Sequence, residues 1–279
     1  MSRLGIIAGG GDLPHAVAQS ARSSGRDVFI VSLTGNSDDW TADFPREEVS
    51  LGEMGKALRA LAANNCTDVI FAGRVGRPRF SELRLDTKGI LAVPRLAAAA
   101  LKGDDALLRA VVEIFEKEGH RILSIAEAAP SLIVREGLLS KLAPSPEALA
   151  DIAKGFAVVA RMGELDIGQA AVVCEGLVLA VEAAEGTDAM LKRIIDLPDR
   201  LRGKPGKLRG VVVKAPKPIQ DGKTDLPVIG VETVLNAHAS GLGGIAVKAD
   251  GALIVDRARV IEAADAAGLF VVGIKPVNA

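Results

Sequence analysis

Tyrosine is absent from this chain, tryptophan occurs once, at Trp40, and aromatic residues make up only 3% of the sequence. Without a series of aromatic faces there is no platform for stacking successive bases, which excludes the usual single-stranded nucleic-acid binder. A basic excess is missing too: 34 lysines and arginines face 35 aspartates and glutamates, giving a formal net charge of −1. A protein that neutralises several phosphates of a polymer carries a marked positive balance, so no nucleic-acid partner is expected. Cysteine is limited to Cys66 and Cys174, far apart and without metal-type spacing, and both read as buried free thiols. The three histidines, His15, His120 and His238, share no local motif with a cysteine or carboxylate. Gly-x-Ser-x-Gly, His-Glu-x-x-His and P-loop patterns are absent, so serine nucleophiles, zinc-protease chemistry and ordinary ATP use lose support. No apolar run approaches the roughly 20 residues that span a bilayer, because Arg, Lys or Asp interrupts each candidate. The apolar stretch Leu4–Ala8 reaches glycine too soon for a signal peptide. A soluble, cytoplasmic protein is expected, with any membrane contact peripheral.

What the chain does contain is enough apolar material for a large core, with 49% hydrophobic and 25% charged residues. Its 279 residues exceed one typical domain, so two units are expected. Leu4–Ala8 is a short apolar run ending in three glycines; helical spacing follows over Pro14–Ser24, then a strand over Asp27–Leu33. Further helices are predicted over Glu53–Asn64 and Asp104–Glu118, with strands over Thr67–Gly73 and Arg121–Ile125. This alternation predicts a Rossmann-like, doubly wound parallel α/β domain over residues 1–134. Gly137, Pro144 and Pro146 break the pattern, placing a linker at 135–146, with Ser145 as cap of the next helix. A second, mixed α/β domain is expected over 147–279. It contains a helix over Pro146–Met162, a hairpin turning at Glu175-Gly176 and a helix over Thr187–Ile195. A strand over Leu208–Ala215, a helix near Glu232–Ser240, a hairpin across Ala249–Gly251, a helix over Asp256–Ala267 and a last strand over Leu269–Ile274 complete it.

Four segments carry residue types suited to chemistry. Gly9-Gly10-Gly11-Asp12-Leu13-Pro14 joins a strand to a helix, where backbone N–H groups and the helix N-terminus suit a phosphate or ribose. The dinucleotide pattern Gly-x-Gly-x-x-Gly is not completed, and a tight turn with Asp12 as helix cap is the plain alternative. Gly73-Arg74-Val75-Gly76-Arg77-Pro78 follows another strand at the same carboxyl edge, where open α/β sheets bind ligands. Arg74 and Arg77 there suit a phosphate or are simply solvated. Thr187 and Asp188 open a helix just after Glu182 and Glu185, which gathers a hydroxyl and carboxylates at one N-terminus; dipole complementation explains Asp188 equally well. Residues 214–227 form the densest segment. Pro216, Pro218 and Pro227 stiffen it, Lys214 and Lys217 suit phosphate, and Asp221 and Asp225 suit a hard cation such as Mg²⁺, with a solvated turn as alternative.

These residues together carry a resemblance. Leu4-Gly-Ile-Ile-Ala-Gly-Gly-Gly-Asp-Leu-Pro14, Asp166-Ile-Gly-Gln169, Leu179-Ala-Val-Glu-Ala183 with Glu185-Gly-Thr-Asp188, residues 214–225, Leu226-Pro-Val-Ile-Gly230 and Gly241–Ala246 stand in family order. The sequence resembles the LpxI-type UDP-2,3-diacylglucosamine pyrophosphatases from residue 4 to about residue 274. The resemblance implies hydrolysis to lipid X and UMP in lipid A synthesis, a divalent ion such as Mg²⁺ or Mn²⁺, and a substrate held by both domains. A bacterium with an outer membrane is implied as well, as is action at the cytoplasmic face of its inner membrane; a second copy of the chain is a candidate partner. Asp225 is expected as metal ligand or base, with Asp221 and Glu182 as further metal ligands. Lys214 and Lys217 are expected as phosphate neutralisers, and Gly10, Gly11, Asp12, Leu13, Arg74, Val75, Gln169, Thr187 and Asp188 as substrate contacts. The rival readings are a nucleotide-dependent oxidoreductase, favoured by the glycine-rich opening, and a non-enzymatic nucleotide-binding regulator.

Overall fold

Strand β1 (Leu4–Ala8) is apolar or glycine at every position because both its faces are covered. In the computed structural model the described residues are 2–35, 39–76, 83–217 and 226–276, the side chains of Asp104 and Asp105 excepted. The chain divides into two units, Met1–Ser131 and Leu132–Ala279.

In the first unit, α1 (Leu13–Ser23), β2 (Val28–Leu33), β3 (Arg46–Val49), α2 (Met54–Ala63) and β4 (Asp68–Ala72) follow β1. Then come α3 (Thr87–Ala100), α4 (Asp104–Lys117), β5 (Arg121–Ile122) and the single turn α5 (Ile125–Ala128). The five strands pair in parallel in the order β3-β2-β1-β4-β5. This is the doubly wound arrangement that the strand and helix alternation predicts, and it collects the loops after β1 and β4 at one carboxyl edge. Helix α2 buries Met54, Ala57, Leu58 and Leu61, the spacing of one helical face, against Val31, Val49 and Val69 of the sheet. At the start of β4, Arg121 Nε donates to Asp68 at 2.9 Å and Arg26 reaches the other oxygen. Burial alone pushes the Asp68 carboxyl up, but the hydrogen bonds from Arg121 and Arg26 outweigh it and hold that group below its ordinary range.

The second unit contains β6 (Gly137–Leu138), α6 (Pro146–Glu164), β7 (Ala170–Cys174), β8 (Leu177–Val181), α7 (Gly186–Ile194) and β9 (Val211–Lys214). It continues with β10 (Val228–Ile229), α8 (Val231–Ala239), β11 (Gly244–Lys248), β12 (Leu253–Ile254), α9 (Arg257–Ala267) and β13 (Phe270–Ile274). Its main sheet runs β6-β13-β11-β9-β7-β8. Strands β9, β11 and β13 are parallel, while β6 and β7 are antiparallel to their neighbours, so the sheet is mixed. Alternation along β9 sorts its side chains: Val211 and Val213 meet Ile152, Phe156 and Val159 of α6, and Val212 faces the opposite core with Met190, Val234 and Val260 of α7, α8 and α9. Helices thus cover both faces of the sheet.

Segment 135–146, read as a linker, supplies β6, which pairs antiparallel with β13, and Ser145, whose hydroxyl caps α6 through the Ala148 amide at 3.2 Å. The hairpin expected across Ala249–Gly251 does not form. Both edges of β11 are already occupied by β9 and β13, and Asp250, at φ 59°, turns the chain away, so β12 pairs in parallel with β10 instead.

Candidate active site

At the carboxyl edge of the first sheet, the glycine-rich turn after β1 and the loop after β4 are clasped backbone to backbone. Gly10 N donates to Arg74 O and Arg74 N to Gly10 O, both at 2.8 Å, and Gly9 N donates to Ala72 O at 2.8 Å. Side chains would break this clasp. A Cβ on Gly9 would stand 2.6 Å from Arg74 O, and Gly73, at φ +93°, has Pro14 Cγ 2.7 Å from the position its own Cβ would take. Asp12 precedes α1, but its side chain makes no capping hydrogen bond to the helix and is exposed, so helix capping does not account for it. The Arg74 guanidinium lies over Gly11, 3.6 Å from where a Cβ would be, and it is exposed together with Val75. Gly10, Gly11, Asp12, Leu13, Arg74 and Val75 therefore lie together, with Arg74 and Asp12 offering a cation and an anion beside a helix N-terminus.

In the second unit the residues singled out meet at the carboxyl ends of β8 and β9. Glu182 directly follows β8 and is 6% exposed. Its Oε2 accepts from the Gln169 amide at 3.1 Å and its Oε1 accepts from the Thr187 hydroxyl at 2.9 Å, so one carboxylate ties the start of β7 to the first turn of α7. Gly168 makes this approach possible, since a Cβ there would lie 2.1 Å from Glu182 O. Among the described residues the side-chain oxygen of Gln169 is buried without a hydrogen-bond partner, a state that a bound water, ion or ligand would relieve. The Gln169 carbonyl accepts from Ala215 N at 3.1 Å, which places Gln169 beside Lys214, the last residue of β9. Lys214 is 4% exposed, and its Nζ donates to Val228 O at 2.8 Å. Lys217 Nζ meets Asp166 Oδ1 at 2.6 Å; Asp166, at φ 55°, ends the turn that follows α6.

Asp188 serves a different contact, accepting from Asn236 Nδ2 at 3.1 Å and thereby joining α7 to α8. Glu185 folds back to the Ala183 amide and to Arg193. Among the described residues no three His, Cys, Asp or Glu side chains are grouped to hold a metal ion. Asp221, Asp225 and Arg77 lie outside the described residues. The donors that Glu182 and the unpartnered Gln169 Oε1 offer are all oxygen, the chemistry that a hard divalent cation takes.

Two family models span this chain: the LpxI N-terminal domain matches residues 3–132 and the LpxI C-terminal domain matches residues 135–272. The chain belongs to the LpxI family. A curated relative, the UDP-2,3-diacylglucosamine pyrophosphatase LpxI of Caulobacter vibrioides, is 50% identical over 276 residues, which is 99% of each chain. The boundary between the two LpxI domain matches, between residues 132 and 135, falls where the chain divides into its parallel-sheet and mixed-sheet units. Two contacts of this LpxI-family chain were not legible in sequence. The ion pair between Asp166 and Lys217 spans 51 residues, and the bond between the Glu182 carboxylate and the Gln169 amide depends on the β7–β8 register. The hairpin signal at Glu175-Gly176 points toward the second of these, because it sets Ala170, the neighbour of Gln169, opposite Glu182.

Proposed function

We propose that this chain hydrolyses the pyrophosphate of UDP-2,3-diacylglucosamine, releasing UMP and lipid X for lipid A synthesis. The observation that carries this reading is the 50% identity, over 99% of both chains, to a relative bearing that name. The two units described above, with charged and polar groups gathered at the carboxyl ends of their strands, support it. Pyrophosphate cleavage needs neutralised phosphate oxygens and an oriented water, and little covalent help from the protein. Lys214, fixed by a carbonyl at the end of β9, and Lys217, held by Asp166, would neutralise the phosphates. Asp225 would take the proton of the attacking water, with Asp221 four residues before it in the sequence as a further acidic group. Glu182, Asp221 and Asp225 would hold Mg²⁺ or Mn²⁺, which supplies further charge neutralisation when bound. Thr187 and Gln169, set by Glu182, and Asp188 would orient the substrate; Gly10, Gly11, Asp12, Leu13, Arg74 and Val75 would contact its nucleotide or sugar part. Among the described residues no helix is long and apolar enough to cross a membrane. In this reading a diacylated substrate would be met by peripheral contact at the cytoplasmic face of the inner membrane.

The test is direct. The purified protein is incubated with UDP-2,3-diacylglucosamine and Mg²⁺, with and without chelator, and the products are separated. Release of UMP and the diacylglucosamine phosphate is expected with the metal and is lost with the chelator. No UMP under either condition overturns the assignment, and undiminished release with chelator removes the metal from it.

A further inference from the structure

At the end of the second unit's sheet opposite Glu182 and Lys214, charge of one sign accumulates. Residues 192–209 hold seven lysines and arginines against two aspartates, in a chain whose formal net charge is −1. This stretch leaves the C-terminus of α7 and leads into β9, so it lies toward the amino ends of β9 and β11. Hydrogen bonds within it define its shape. Arg202 Nε donates to Leu197 O at 2.8 Å, Arg209 Nη2 to Arg202 O at 2.7 Å, and Lys204 and Lys207 exchange backbone bonds. Arg209 Nη1 pairs with Glu175 at 2.7 Å, which fixes the loop beside the β7–β8 turn, and Lys154 of α6 donates to Gly176 O of the same turn.

Part of this charge has structural work. Arg193 pairs with Glu185, and Arg202 and Lys204 pair with Asp199. Lys192 stands in the last turn of α7, where a cation complements the helix dipole. That reason does not extend to Arg200 and Lys207, which lie beyond the helix. Lys192, Arg200 and Lys207 are all exposed and pair with no carboxylate among the described residues. Two apolar side chains, one within this stretch and one on β8 beside the β7–β8 turn it holds, are exposed as well. Leu177 is 48% exposed and Ile195 41% exposed, and beside them a shallow depression of about 430 Å³ is lined by Val178, Leu179, Arg193 and Leu197.

Basic side chains around exposed aliphatic ones match the two parts of a phospholipid surface, anionic headgroups and the acyl boundary beneath them. A single-stranded nucleic acid would call for stacking residues, and no aromatic residue occurs in 192–209. We propose that the face formed by residues 192–209 with Leu177 docks on a bilayer containing anionic phospholipid. The inference rests on the proposed function for the reason a bilayer is met; the face itself is defined by charge and exposure.

Sedimentation of the full-length protein with vesicles tests it, without substrate. Phosphatidylcholine vesicles containing about 30% phosphatidylglycerol are compared with pure phosphatidylcholine at low and high salt. Binding to the anionic vesicles alone, weakened by salt, is expected. The triple variant Lys192→Gln, Arg200→Gln, Lys207→Gln should partition about a hundredfold less, and Ile195→Ser should weaken binding at fixed charge. Both variants are first checked for native melting, and the triple variant should hydrolyse substrate dispersed in detergent at the parental rate. Failure of the parent to bind anionic vesicles, or a triple variant that binds as the parent does, overturns the docking face. Displacement of bound vesicles by equimolar single-stranded RNA overturns it too, by making the face a nucleic-acid surface. Hydrolysis in detergent is read separately, so loss of vesicle binding and loss of the proposed activity remain distinct.

Discussion

Removing the Glu182 carboxylate should cost the second unit more stability than any surface change, and the cost can be worked from its contacts. The group is 6% exposed and accepts two hydrogen bonds, from the Gln169 amide at 3.1 Å and the Thr187 hydroxyl at 2.9 Å. A hydrogen bond to a charged acceptor contributes about 1.5–3 kcal/mol, and a donor left buried without a partner costs its desolvation as well. Glu182→Ala is therefore expected to destabilise the unit by about 3–5 kcal/mol. For a unit of this size that lowers Tm by roughly 8–15 °C. Glu182→Gln keeps one acceptor and turns an NH₂ toward the other donor, so about half the loss is expected. Combined with Thr187→Val in a double-mutant cycle, Glu182→Ala should show coupling of about 1–2 kcal/mol. Calorimetry of the full chain, together with kcat and KM for UMP release, reads both consequences. If Glu182→Ala melts within a degree of the parent, the bridge contributes nothing and the argument fails. A Glu182→Gln variant with parental melting and no hydrolysis would assign the negative charge to the reaction rather than to the clamp.

Asp12→Ala should leave Tm unchanged, because the side chain is exposed and makes no cap bond, while raising KM for the UDP-linked substrate; unchanged kinetics would remove Asp12 from the site. Asp225→Ala is expected to lower kcat by roughly a hundredfold or more with substrate binding retained, and near-normal kcat measured by UMP release would move the catalytic role to another carboxylate. Acid stability should depend on Asp68. Its pKa is depressed in the folded state, so its contribution is full above about pH 4, the unfolded value, and is lost as pH falls through the folded value. The urea midpoint of the first unit should therefore fall as the pH drops below about 4, and fall less in Asp68→Asn; equal slopes for the two proteins would refute the linkage.

Sequence signals were clearest where a local rule had one outcome. The β1–turn–α1–β2 opening follows from a buried apolar run, three glycines and helical spacing, and the β7–β8 turn from Glu175 and Gly176, which adopt φ 51° and 76°. Helix α3 was not legible. Pro94 stands inside it, and apolar residues lie all round it, with Ile90, Leu91 and Leu101 exposed, so no one-sided stripe marks a helix. Strand β3 escaped for the opposite reason, since Arg46-Glu-Glu-Val49 is a charged edge with little apolar alternation. At the candidate site, Glu182 and Thr187 lie five residues apart and form one cluster in sequence, whereas the places of Gln169 and Asp166 depend on strand register and tertiary approach. The three carboxylates read together at the α7 N-terminus separate in the fold: Glu182 faces Gln169, Glu185 its own turn, and Asp188 Asn236. Helix spacing alone contains no information on which neighbour each will find.

The position of β6 has a consequence for how the chain emerges from the ribosome. The first unit closes its sheet with β5 at Arg121–Ile122, so everything it pairs is available once that stretch has been made. In the second unit the first strand, Gly137–Leu138, has β13, Phe270–Ile274, as its sheet neighbour, and β13 also separates it from β11. Until residues 270–274 leave the exit tunnel, β6 has no partner and one edge of β11 stays open. The first unit can therefore complete its strand pairing during synthesis, whereas the second cannot close its sheet before its last strand has emerged.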